Sequence, residues 1–180
     1  MIRLFTAVPI PDQFKVFLHE MGRGLPGAKP VAPEQMHITL RFIGEVEGGL
    51  FKDIREELAA VECCAFPLAI RGVGHFPPRG RPRVVWAGLE PTEELKRLKR
   101  KIDTRLISCG LPPDNRKFAP HITLARLNTT SLGRITSFLA GNAFVEFDEF
   151  MVDSFHLYSS KLSAKGAQHF LEGNYPLSAR

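Results

Sequence analysis

The sequence predicts an α+β fold built from two similar halves, and three observations carry that expectation. The tetrapeptide His-Ile-Thr-Leu occurs twice, at residues 37–40 and 121–124. Each copy follows the same order: an apolar run, a proline opening a helical pattern (Pro11, Pro91), a loop with proline (Pro33, Pro120), the tetrapeptide, then another helical pattern. Strand and helix patterns alternate along the chain, with no linker or low-complexity stretch between them. The copies are offset by 91 − 11 = 80 residues at the prolines and by 121 − 37 = 84 at the histidines, a difference that a surface-loop insertion accommodates. The expected architecture is two antiparallel sheets related by a pseudo-two-fold axis. Residues 1–180 form one domain, with halves of roughly 1–80 and 81–180.

Residues 2–8 read as a strand, stopped by Pro9 and Pro11. Asp12 is placed to cap a helix whose apolar positions Phe14, Phe17, Leu18 and Met21 share one face, and Gly22, Gly24, Pro26 and Gly27 end it. The first motif strand covers about 35–43. A helix with Leu50, Ile54, Leu58 and Val61 as its stripe follows. Residues 66–73 and 83–89 read as two strands joined by the proline- and glycine-rich loop 77–82. Thr92 caps a basic helix with the core stripe Leu95, Leu98, Ile102 and Leu106, ended by Gly110 and the pair Pro112-Pro113. The second motif strand spans about 119–127. Thr130 or Ser131 then starts a short helix carrying Leu132, Ile135, Phe138 and Leu139. Strands near 144–147 and 150–158, a polar loop near 161–166 and a last segment at 168–175 complete the chain.

At 180 residues the chain is long enough to bury a proper core. Its apolar stretch at residues 1–10 is too short to span a bilayer and is cut by prolines, so neither export nor anchoring is expected. Three cysteines are an odd number, Cys63 and Cys64 are adjacent, and zinc-site spacing is absent; reduced thiols in the cytoplasm are the expectation. A net charge of +5 and a pI near 9.3 favour a polyanionic partner. The charge is concentrated in Arg79, Arg81 and Arg83 of one loop and in Lys96, Arg97, Lys99, Arg100 and Lys101 of one helix. Such a helix is either a solvated face or a surface for RNA phosphate.

In a strand, side chains at i and i+2 share a face. His37 and Thr39 therefore point one way and Ile38 and Leu40 the other, into a core; His121 and Thr123 repeat this over Ile122 and Leu124. Histidine titrates near neutral pH, so two of them on opposite sides of a groove can serve as acid and base in an in-line displacement at phosphorus. The threonine hydroxyls can donate to the non-bridging phosphate oxygens, where charge accumulates. Neither copy has His-x-His or His-Glu-x-x-His spacing, so no metal or cofactor is expected. Strand parity puts Arg41 on the chemical face as a phosphate clamp, with Ala125 its equivalent in the second copy. Arg126 falls on the opposite face unless a bulge intervenes and ranks below Arg41. Phe42, Phe118, Trp86 and Tyr158 would stack on a base if exposed, and otherwise belong to the core. His19, His75, His156 and His169 lack the repeated context and read as structural.

Paired His-x-Thr-x motifs at this separation resemble the two-histidine (2H) phosphoesterase superfamily. The extended segments Gln35-Met36-His37-Ile38-Thr39-Leu40-Arg41-Phe42-Ile43-Gly44-Glu45 and Phe118-Ala119-Pro120-His121-Ile122-Thr123-Leu124-Ala125-Arg126 are similar to its LigT-type RNA 2′,3′-cyclic phosphodiesterases, also called 2′-5′ RNA ligases. So are Gly74-His75-Phe76-Pro77 followed by Arg81-Pro82-Arg83-Val84-Val85-Trp86, and the tail Leu157-Tyr158-Ser159-Ser160-Lys161-Leu162. The resemblance covers essentially the whole chain, without departure at the four motif positions. It implies a bilobed fold with a central cleft and helices outside, and hydrolysis of an RNA-terminal 2′,3′-cyclic phosphate to a 2′-phosphomonoester. It also implies that His37 is the proton donor, His121 the proton acceptor, and that Thr39 and Thr123 hold the phosphate. The residues alone leave the two histidines interchangeable. Some members of the family join tRNA halves through a 2′–5′ linkage in vitro, with an RNA hydroxyl replacing water.

Arg126, Arg79, Arg81, Arg83 and Phe42 are the further candidates for RNA contact. Two other functions remain open on the sequence. One keeps the site but acts on small cyclic nucleotides, 2′–5′ oligonucleotides or an ADP-ribose cyclic phosphate; the other is a non-catalytic RNA-binding module. No protein partner is called for, and a monomer is expected because the duplication already supplies two-fold symmetry.

Overall fold

Two prolines, Pro9 and Pro11, close the first strand and force the chain into a helix, and the same punctuation recurs at Pro91. In the computed structural model, which describes residues 1–163 and 166–179, the elements follow the predicted alternation closely. They are β1 (Ile2–Pro9), α1 (Asp12–Arg23), β2 (Ala28–Pro30), a 3-10 turn (Pro33–Gln35), β3 (His37–Val46) and α2 (Gly48–Ala59). Then come β4 (Phe66–Leu68), β5 (Ile70–Phe76), β6 (Val84–Leu89), α3 (Glu93–Ser108) and β7 (His121–Leu127). The chain ends with α4 (Leu132–Gly141), β8 (Phe150–Val152), β9 (Ser154–Ser163) and β10 (Gly166–Pro176).

The fold is α+β with antiparallel sheets, as expected. The pseudo-symmetric sheets are two four-stranded arrays that meet edge to edge. One runs β10-β9-β1-β3; the other holds β7, β6, β5 and β2, with β2 on β7. They join at a single registered pair, Ile38 opposite Ile122, so hydrogen bonding makes them one eight-stranded sheet. The arrays do not follow chain order. β9 and β10, the last strands, complete the array of the first motif, while β5 joins that of the second. A separate two-stranded sheet pairs β4 with β8.

Ile38, Leu40, Ile122 and Leu124 are buried together with Phe14 and Leu18 of α1 and Leu95, Leu98 and Ile102 of α3. The helices therefore cover one face of the sheet and leave the histidine face open. Each such aliphatic side chain removed from water contributes about 1.5–3 kcal/mol. Thr92 caps α3, accepting from Leu95 N at 3.2 Å, and Ser131 caps α4. Asp12 does not cap α1. The N-cap position falls on Pro11, and the Asp12 carboxylate instead accepts from Lys15 Nζ at 2.8 Å.

Three other expectations change. The strand expected at 66–73 breaks at Ala69, because its first part pairs with β8 and its second joins the large sheet. Around 144–147 only an isolated bridge forms, Arg71 with Glu146. Of the loop expected near 161–166, the described residues are strand, with β9 reaching Ser163 and β10 starting at Gly166; residues 164–165 lie outside the described residues. Among the described residues, no helix is long and apolar enough to cross a membrane.

Candidate functional site

The single pair that joins the arrays also organises the chemistry. Ile38 and Ile122 are antiparallel partners, so one further step of register sets His37 toward Thr123 and Thr39 toward His121. The pseudo-two-fold axis passes between the isoleucines, and the four motif side chains cluster around it on the open face. Two halves that each carry one histidine and one threonine thus build a composite site that neither builds alone.

Each histidine is fixed in the same way. His37 donates from Nδ1 to the carbonyl of Gln35 at 2.8 Å, and His121 donates from Nδ1 to the carbonyl of Ala119 at 2.7 Å. A carbonyl oxygen only accepts, so both Nδ1 atoms carry the hydrogen and both Nε2 atoms are left for substrate. The rings are boxed by aromatics. His37 lies 4.9 Å from Phe5 and 6.1 Å from Tyr158, centroid to centroid; His121 lies 4.8 Å from Phe76 and 6.1 Å from Trp86. Trp86 lies flat on Gly74, where any Cβ would overlap the indole.

Burial in these boxes disfavours the charged imidazoles. It pulls His37 down from 6.5 to about 4, helped by the like charge of His169, and it lowers His121 as well. Burial therefore holds both rings toward the neutral form. A phosphodiester anion arriving beside them favours the imidazolium and offsets that burial. Among the described residues, no three His, Cys, Asp or Glu side chains gather as a metal-holding group.

Beyond the threonines, both motif strands carry a bulge. Along β1–β3, Ala7 faces Thr39 but Thr6 faces Arg41, leaving Leu40 as the extra residue. Along β6–β7, Trp86 faces Thr123 but Val85 faces Ala125, leaving Leu124 extra. A bulge inverts the parity of everything after it. Arg41 consequently turns into the core, only 4% exposed, and is not the phosphate clamp that parity predicted. Its guanidinium meets Asp103 at 3.2 Å and the Pro112 carbonyl at 2.5 Å. By the same inversion Phe42 (57% exposed) and Arg126 turn out onto the open face. At the second bulge the Leu124 carbonyl accepts from Val31 N at 2.9 Å, continuing the β2–β7 pairing, and lies directly under Gly22 of α1.

The remaining candidates separate by location. Arg79, Arg81 and Arg83 are exposed in the β5–β6 loop, beyond the end of β7 that carries Arg126. The basic helix α3 lies on the opposite, core-covering face. Lys96 pairs with Glu93, Lys101 donates to the Glu62 carbonyl, and Lys99 is buried between Asp103 and Asp114. These three ammonium groups are thereby engaged locally and away from the histidines. Phe118 packs against the core beneath Lys99. Two concavities, of about 380 Å³ beside Cys63 and Cys64 and about 430 Å³ between Leu25 and Phe138, contain none of the motif residues.

Sequence reasoning missed the rings of Phe5 and Phe76 beside the histidines, and it read His169, whose ring also stands against His37, as structural. Phe5 would have followed from the β1–β3 register. His169 comes from β10, whose position beside β9 leaves no mark in the local pattern.

Comparison with known proteins identifies the family. Residues 10–163 match the 2′-5′ RNA ligase superfamily. A protein of Aeropyrum pernix named RNA 2′,3′-cyclic phosphodiesterase is 39% identical over 140 residues, covering 77% of this chain and 80% of the relative. One of the same name from Archaeoglobus fulgidus is 36% identical over 169 residues, covering 92% and 94%. Among solved structures, a Thermus thermophilus protein superposes with a TM-score of 0.78 at 30% identity over 99% of both chains. Escherichia coli LigT in its apo form gives 0.80 at 24% identity over 98% of both, a likeness of fold. With the match spanning most of its length and the paired motifs in place, the chain belongs to the 2′-5′ RNA ligase superfamily.

Proposed function

We propose that this chain is an RNA 2′,3′-cyclic phosphodiesterase, opening the terminal cyclic phosphate to a 2′-phosphomonoester with the two motif histidines as acid and base. The observation that carries this reading is the pair of Nδ1-anchored imidazoles brought together about the Ile38–Ile122 pair, each with its threonine. Nε2 of His121 takes a proton from water as the water oxygen bonds to phosphorus. The bond from phosphorus to the 3′ oxygen breaks, and Nε2–H of His37 protonates that oxygen. Thr39 and Thr123 donate to the non-bridging oxygens, whose charge grows in the transition state.

Arg126, on the open face beyond Thr123, supplies a bidentate donor for phosphate, and exposed Phe42 a stacking surface for a base. Arg79, Arg81 and Arg83 extend the positive surface from the same end. The two halves act as one catalytic unit, a monomer in the cytoplasm, where the free thiols of Cys63, Cys64 and Cys109 stay reduced. An RNA hydroxyl standing where the water stands would give a 2′–5′ linkage through the same two proton transfers.

The test is hydrolysis of a short RNA ending in a 2′,3′-cyclic phosphate, with EDTA present. Wild type turns over, and His37→Ala and His121→Ala each lose about 10²–10⁴-fold in kcat. Turnover only of a cyclic mononucleotide would move the substrate to small molecules. Tight RNA binding without turnover would make the chain a binding module, and loss of rate on chelation would bring a metal into the mechanism.

A further inference from the structure

A third histidine stands in the box around His37. His169 projects from β10 opposite Ser160, its ring centroid 5.2 Å from that of His37 and 4.9 Å from that of Phe5, edge-on to both. The β9–β10 hairpin is held there by one residue of the turn before β3. The side-chain amide of Gln35 donates to the carbonyl of Ala167, two residues before His169, while the Gln35 backbone carbonyl accepts from His37 Nδ1. One residue thus orients both imidazoles. The pseudo-symmetric partner is built differently: the rings against His121 are Phe76 and Trp86, neither of which titrates.

We propose that His169 is a positioning residue of the catalytic centre, holding the His37 ring edge-on and sharing a single proton with it. For its catalytic meaning this rests on the phosphodiesterase reading; its measurement does not. Two imidazolium rings at this separation repel, so the pair titrates as a unit that resists taking up a second proton. Other groups face the pair. Arg126 of β7 acts on His169 and His121 of β7 on His37; Tyr158 of β9 stacks beside His37, and Lys29 of β2 reaches the hairpin tip at Gly166. The cations among them push toward neutral rings. A phosphodiester anion reverses that balance, and the one proton then settles on His37, where the leaving oxygen needs it, while His169 stays neutral.

The experiment follows the ring Cε1–H resonances of His37 through a pH titration in wild type, His169→Phe and His169→Gln. Removing the like charge raises the His37 midpoint in both variants, by about one pH unit for charges this close at a partly screened site. The alkaline limb of kcat/KM, set by the residue that must be protonated, rises with it. A midpoint unchanged in both variants overturns the proposal. A midpoint that falls with phenylalanine and rises with glutamine overturns it too, because burial rather than charge would then be the cause. A raised midpoint in a protein that turns over no cyclic phosphate supports the coupling and sinks the phosphodiesterase reading instead.

Discussion

β3 and β7 carry the same tetrapeptide, the same Nδ1-to-carbonyl bond and the same bulge one residue past the threonine, yet beyond that bulge they deliver opposite chemistry. β3 sends Arg41 into the core and Phe42 to the cleft; β7 sends Ala125 into the core and Arg126 to the cleft. The boxes around the histidines diverge as well, one containing a titratable ring and the other only phenyl and indole. The repeat thus sets the backbone that places the two motif histidines, and the side chains after the bulge decide what else each half brings. A guanidinium on one side and an aromatic face on the other suit the two ends of one nucleotide, phosphate and base.

The two arginines offer the sharpest way to break that comparison. Arg41→Ala is expected to cost about 3 kcal/mol of stability, because it strips a buried guanidinium from Asp103 and from the Pro112 carbonyl while Lys99 remains to partner Asp103. Arg126→Ala is expected to leave stability within about 0.5 kcal/mol and to lower kcat/KM by about tenfold or more, through loss of a charge-assisted contact. Chemical denaturation and steady-state kinetics on both variants decide it. If Arg126→Ala melts the protein and Arg41→Ala only slows it, the bulges do not sort the side chains as described.

A smaller effect probes the bulge of β7 itself. A Cβ on Gly22 would stand 2.5 Å from the Leu124 carbonyl oxygen, which is backbone and cannot rotate away. Gly22→Ala should cost about 1–3 kcal/mol by forcing α1 off the strand. It should also reduce kcat/KM, although Gly22 never touches the cleft, because Arg126 depends on that bulge. Gly133 of α4, with nothing within 4 Å of its would-be Cβ, is the control: Gly133→Ala should gain up to about 1 kcal/mol and leave kcat/KM alone. Equal behaviour of the two variants in thermal melts would count against a specific role for Gly22.

The smallest effect is in the pH profile. The base must be neutral, so kcat/KM falls as pH drops through its free-enzyme value; the acid must be charged, so kcat/KM falls as pH rises through its own. Burial lowers both histidines from 6.5, His37 to about 4, and the bell for kcat/KM should therefore peak below pH 6.5. With substrate bound the phosphate anion favours the imidazolium, and the limbs of kcat should move to higher pH. Limbs of kcat/KM lying above neutrality would show that the free site is wetter than its aromatic boxes suggest.

Much of this is legible in the sequence. The alternation of His and Thr with Ile and Leu gives the correct faces as far as Thr39 and Thr123, because those faces depend only on strand parity. It fails one residue later. The parity of Arg41 and Arg126 is reset by Leu40 and Leu124, and on β7 the extra residue meets Val31 and α1, which are distant in sequence. His169 is hidden for the same reason, since its place depends on the β9–β10 register and on the bond from Gln35. Asp12 has the right identity for a cap, but Pro11 takes that position and Lys15 takes the carboxylate.

The two arrays share one rung of the ladder, Ile38 with Ile122, and a single rung has the geometry of a fulcrum. Any rocking of one array against the other would turn about it. Side chains beside a fulcrum travel least and those at the rim travel furthest. The imidazoles would then keep their mutual placement while Phe42, Arg126 and the β5–β6 loop swing through larger arcs, letting the jaws fit RNA ends of different bulk without misaligning the atoms that react.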